Sequence, residues 1–181
     1  MLKLSTYKRS LLIKKQSDLI FIGDSLTQFH DWTNFGVHHN AGIAGDTTDG
    51  LLYRLHYSLD KKPTTIVFQM GINDLLQGQY IEMIEQNYTK IFNTINEIKN
   101  VIICSLLPVE MIDQTVKINE DIIILNFFLK QESLKRSLIF VDLYSAMVGS
   151  DGGIIEELTS DGVHLTPKAY LIWESLLKDH L

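Results

Sequence analysis

Apolar positions along the chain fall into two rhythms. Strand-like, apolar-rich runs occupy residues 19–22, 65–70, 101–107 and 138–143, with a weaker one at 37–41. Runs of this length, rich in β-branched and aromatic residues, predict strands buried on both faces. Between them the apolar positions recur at helical spacing. Leu51, Leu52, Leu55 and Leu59 form one stripe, and Ile81, Ile84, Tyr88, Ile91, Phe92, Ile95 and Ile98 a longer one. Ile118, Ile122, Leu125, Phe128 and Leu129 form a third, and Leu171, Ile172, Leu176 and Leu177 close the chain. Strands alternating with helices predict an α/β fold of three layers, α/β/α, around a five-stranded parallel sheet.

Composition narrows this picture. At 181 residues the chain is expected to form a single domain, 1–181, without linker or repeat. A chain of this size buries roughly 70% of the surface its unfolded form exposes, so it needs no staples. The formal net charge of −6 argues against a nucleic-acid partner, which requires a concentrated basic face. Basic residues do gather between Lys3 and Lys15, in a segment that reads as an amphipathic or frayed lead-in. Its apolar centre, Leu11-Leu12-Ile13, is too short for a signal-peptide core. No apolar stretch is long enough to span a bilayer. Cys104, the single cysteine, lies within an apolar run and is expected to be a buried, inert thiol. The expected location is the cytoplasm.

Four places carry candidate chemistry. The first, Gly23-Asp24-Ser25-Leu26, follows the first strand. A serine where a strand turns into a helix points its hydroxyl out of the carboxyl edge of the sheet, where open α/β folds bind ligands. The helix start adds unpaired N–H groups for a developing oxyanion. The second is Asn40-Ala41-Gly42-Ile43-Ala44-Gly45-Asp46-Thr47-Thr48, where Gly45 leaves its N–H uncovered and Asp46 or Thr47 can cap the next helix. The third is Gly71-Ile72-Asn73-Asp74, which brings the Asn73 amide to the same edge; Asp74 reads as a cap. The fourth is Asp161-Gly162-Val163-His164-Leu165-Thr166-Pro167. Thr166 and Pro167 mark a helix start. One helix-like turn would put Asp161 and His164 on the same side, so that the carboxylate fixes the imidazole tautomer.

With these blocks in this order, the chain resembles the SGNH hydrolases, also called the GDSL esterase/lipase family. The resemblance runs from about Leu19 to Trp173 and is similar in spacing to the compact bacterial branch of platelet-activating-factor acetylhydrolase-like esterases. One departure is Ala169 where family members often carry glycine. The resemblance implies an esterase or acylhydrolase acting on carboxylic esters or thioesters of small acyl groups. It implies a triad of Ser25, His164 and Asp161, an oxyanion hole from the Ser25 and Gly45 N–H groups and the Asn73 amide, no cofactor and no metal. It also implies the flavodoxin-like strand order 2-1-3-4-5, and a structural role for Asp24 in holding neighbouring loops. His30, Trp32 and His38 lie near the implied pocket mouth, with surface or core roles favoured. The competing reading is a non-catalytic flavodoxin-like module holding a phosphate or nucleotide. No phosphate loop follows the first strand, and Asp24 would repel a phosphate there. A metal hydrolase is a third reading, but His30, His38, His39, His56, His164 and His180 lack the paired spacing of a zinc site.

Overall fold

Five short strands pair in parallel in the order β2-β1-β3-β4-β5, the arrangement expected from the sequence. They are β1 (Leu19–Gly23), β2 (His38–Gly42), β3 (Thr65–Gln69), β4 (Asn100–Cys104) and β5 (Ile139–Val141). The computed structural model describes residues 18–110 and 115–181, so the basic lead-in at 3–15 lies outside the described residues. The helices are α1 (Ser25–Gln28), α2 (Thr48–Leu59), α3 (Ile72–Leu76), α4 (Ile81–Thr94), α5 (Thr115–Arg136), α6 (Leu143–Met147) and α7 (Pro167–Leu177). After β1 the chain moves to one side to form β2, then returns across β1 to form β3. The carboxyl ends of β1 and β3 therefore open a crevice at the point where the order reverses.

Alternation along the strands separates two cores. Phe21 stacks on Trp32 at 4.3 Å, and Trp32 meets Trp173 of α7 edge-on at 5.1 Å. Ile22, one residue on and facing the other way, is in register with Phe68, whose ring meets Tyr88 of α4 at 5.8 Å. One face of the sheet thus carries α7, and the other carries α2, α4 and α5. Among the described residues, no helix is long and apolar enough to cross a membrane.

Three expected elements differ in extent. The run at 101–107 leaves the ladder after Cys104, because asparagines of α5 take over its backbone groups. Asn126 accepts from the Leu106 N–H at 2.7 Å and donates to the Leu106 carbonyl at 2.9 Å, and Asn119 does the same for Val109 at 2.9 and 2.8 Å. The run at 138–143 is strand only over Ile139–Val141, since Asp142 caps α6 through the Ser145 N–H. The face of α7 is rotated from the expected one. Tyr170, Trp173 and Leu177 are buried, whereas Leu171 is 64% exposed. The two aromatic rings, packed against Trp32, set the orientation of the helix.

Candidate active site

Ser25 is the first residue of α1 and lies at the carboxyl end of β1, the central member of the crevice. The turn into α1 is tight enough to require glycine before it. A Cβ on Gly23 would fall 2.0 Å from Thr27 Oγ1 and 2.5 Å from the Gln69 carbonyl of β3. Asp24 is the N-cap, its Oδ1 accepting the Leu26 N–H at 2.9 Å. Asp24 thus acts on its own helix start rather than bridging loops as expected. It is completely buried, and Oδ2 has no hydrogen-bond partner among the described residues. Burial, opposed by the Leu26 hydrogen bond and reinforced by the charges of Asp46 and Asp74, pushes its carboxyl up to about 7.

His164 reaches the same place from a loop 139 residues away. Its Nε2 is 3.1 Å from Ser25 Oγ, and its Nδ1 is 2.6 Å from Asp161 Oδ2. The segment is not the helix-like turn expected. It is a bend closed by Asp161 itself, whose Oδ1 accepts the Val163 and His164 N–H groups at 3.0 and 2.7 Å. Partial burial opposes ionisation of Asp161, but these hydrogen bonds and the His164 ring outweigh it and hold the carboxyl below its usual range. The Glu110 N–H fastens the bend to the loop after β4 through the Gly162 carbonyl, at 2.8 Å. Thr166 and Pro167 start α7 as expected, although the Thr166 hydroxyl donates to the Glu157 carbonyl and does not cap the helix.

Gly45 follows β2 and adopts φ +72°, which favours glycine over residues carrying a Cβ. No neighbouring atom would crowd a side chain there, so the requirement is conformational. Asn73, in the first turn of α3, donates Nδ2–H to the Asp46 carbonyl at 2.9 Å and thereby faces the Gly45 loop. Asp74 beside it accepts the Thr48 N–H and hydroxyl, the latter at 2.6 Å, so it caps α2 from across the crevice. Thr47 is the N-cap of α2 and accepts the Gly50 N–H. Ser25, His164, Asp161, Gly45 and Asn73 are therefore brought to one edge of the sheet.

Several residues that hold this edge were not singled out by sequence reasoning. Arg54, 7% exposed, pairs with Asp46 at 2.6 Å and donates to the carbonyls of Ala41 and Gly23 at 2.8 and 3.0 Å. It ties the ends of β1 and β2 to the Gly45 loop. The available signal was a cation next to Leu55 in an apolar stripe. Gln28 Oε1 accepts the Ala44 N–H at 2.6 Å, bracing the same loop from α1. Of the residues expected near the mouth, Trp32 is fully buried, His30 pairs with buried Glu174 at 2.8 Å and stacks on Tyr170, and His38 is bonded to the Gly36 carbonyl. Cys104 is buried, and burial pushes its thiol up to about 12, far from the nucleophilic range.

A family model for the GDSL-like lipase/acylhydrolase family matches residues 21–172. An N-acylneuraminate cytidylyltransferase of Streptococcus agalactiae serotype V is 28% identical over 160 residues, 88% of this chain. The chain spans only 38% of the length of that relative. A Streptococcus pneumoniae structure, provisionally described as a platelet activating factor, is 25% identical with a TM-score of 0.83, covering 97% of this chain and 89% of its own. Two further structures share the fold. A GDSL-like lipase of Bacteroides thetaiotaomicron is 23% identical with a TM-score of 0.85, covering 97% of this chain and 95% of its own. A variant of an acetyl-xylooligosaccharide esterase of Geobacillus is 18% identical with a TM-score of 0.75, covering 93% and 95%. With the family model reaching from β1 into α7, the chain belongs to the GDSL-like lipase/acylhydrolase family.

Proposed function

We propose that the protein cleaves carboxylic esters or thioesters of small acyl groups through an acyl-enzyme on Ser25, within one domain built on the five-stranded sheet. The observation that carries this reading is the unbroken chain Ser25 Oγ, His164 Nε2, His164 Nδ1, Asp161 Oδ2, with links of 3.1 and 2.6 Å. His164 takes the hydroxyl proton as Ser25 Oγ bonds to the acyl carbon. Asp161 fixes the ring tautomer and stabilises the imidazolium. The oxyanion is held by the Ser25 and Gly45 N–H groups and by Asn73 Nδ2. His164 then returns its proton to the leaving oxygen or sulfur as that bond breaks. Water then adds to the acyl carbon as His164 takes its proton, and His164 returns that proton to Ser25 Oγ as the acyl–Oγ bond breaks.

Ser25→Ala tests the assignment. Removing such a nucleophile typically lowers kcat by about 10⁴–10⁶. The variant should keep its melting temperature and lose hydrolysis of p-nitrophenyl acetate; retention of more than about a tenth of the activity would sink the assignment. A serine-directed phosphonate should label Ser25 once per chain. A wild-type protein that binds ligands and hydrolyses no ester would favour the binding module instead.

A further inference from the structure

Phe29 is 61% exposed, and its ring sits 5.7 Å from that of His164 at an angle of 39°. Exposed aromatic rings are ordinarily scattered and need no explanation. This one is placed by the helix that carries Ser25. The Phe29 N–H donates to the Ser25 carbonyl at 3.0 Å, which puts the two side chains one turn apart on one side of α1. Ser25 and Gln28 of α1 and Phe29 just after it reach two flanks of the site, the His164 ring and the Gly45 loop. Ser25 meets His164 Nε2, Gln28 reaches the Ala44 N–H beside Gly45, and Phe29 leans on His164.

Taking the reaction proposed above as its basis, we infer that Phe29 is a leaving-group platform that favours alcohols carrying a ring. The chemistry assigns the sides. The carbonyl oxygen must face Gly45 and Asn73, so the flank braced by Gln28 belongs to the oxyanion. The leaving oxygen must lie within hydrogen-bond reach of His164 Nε2 to receive its proton. Whatever is attached to that oxygen extends past the His164 ring, and Phe29 is the apolar surface beside it. A phenyl ring offers a flat face that an aryl group can stack on, or that the C–H face of a saturated sugar ring can cover. A two-carbon alcohol is too small to use it.

The experiment compares kcat/KM for phenyl acetate, an O-acetylated pyranoside and ethyl acetate in wild type, Phe29→Ala and Phe29→Trp. All three substrates share one acyl group, and kcat/KM reports acylation, the step in which the leaving group is present. Dividing variant by wild type for each substrate cancels intrinsic reactivity and any general damage to His164. Phe29→Ala should lower kcat/KM for at least one ring-bearing ester about five- to ten-fold more than for ethyl acetate, a stacking-sized effect. Phe29→Trp should keep the preference. The ester that loses more identifies the ring as aryl or sugar. Equal losses on all three substrates would overturn the inference while leaving the esterase reading intact, because Phe29 would then only shield His164. A wild-type enzyme inactive on every ester would overturn both.

Discussion

Asn73 commits one of its two amide hydrogens to structure, donating to the Asp46 carbonyl at 2.9 Å, which leaves the second for the oxyanion role proposed above. The Asp46 contact and the proposed oxyanion role of this residue are therefore not alternatives. Asn73→Ala should lower kcat by about 10²–10³ with little change in KM, because the donor acts on charge that appears only in the transition state. It should also cost about 1 kcal/mol of stability through the lost Asp46 bond, a drop of roughly 2–4 °C in Tm for a chain of this size. Steady-state kinetics and a thermal scan on one preparation separate the two effects. A lowered Tm with wild-type kcat would leave Asn73 with the loop contact alone. Only the amide was legible in the sequence; the partner it binds depends on where the Gly45 loop lands.

Among the elements, β1, β3, β4 and β5 were legible as apolar-rich runs and β2 only weakly, and the strand order followed from the family resemblance. The face of α7 was not, since aliphatic spacing favoured Leu171 while Tyr170 and Trp173 decided the packing. The early end of β4 was equally hidden, because Asn119 and Asn126 satisfy its backbone from a helix distant in sequence. In the site, the four blocks were legible as local patterns. Arg54 was not, because what it holds is assembled from three separate segments, namely the ends of β1 and β2 and the Gly45 loop. Removing one partner of a buried ion pair typically costs about 3–5 kcal/mol, because the remaining charge has no compensation. Arg54→Met should lose stability on that scale in urea unfolding. Adding Asp46→Asn should return part of it, since the stranded carboxylate is then removed. If the double variant were less stable than Arg54→Met, the pair would not be what Arg54 contributes.

For the whole molecule, Asp24 makes stability depend on pH in an unusual direction. Its carboxyl is pushed from 3.8 up to about 7, so between those values the folded protein binds more protons than the unfolded chain. As far as Asp24 decides it, stability is greatest below about pH 4, falls as pH rises to about 7 and then levels off. Asp24→Asn carries no titrating group. The unfolding free energy of Asp24→Asn minus that of wild type should therefore climb across this window by something on the order of 2–4 kcal/mol. Urea titrations at pH 4.5, 6 and 8 measure it; a difference independent of pH would refute the assignment of the shift to Asp24.

The packing of Trp32 against Trp173 has a practical consequence for following this chain as it folds. These are its only two tryptophans, and both are fully buried where α7 meets β1. The bend bearing His164 leads directly into α7, and Tyr170 of the same helix donates to the Leu26 carbonyl in α1 at 2.8 Å. Seating that helix is thus coupled to delivering the imidazole to Ser25. Intrinsic fluorescence, which comes almost entirely from this pair of indoles, is a built-in optical reporter of the moment the two halves of the site meet, observable without any label.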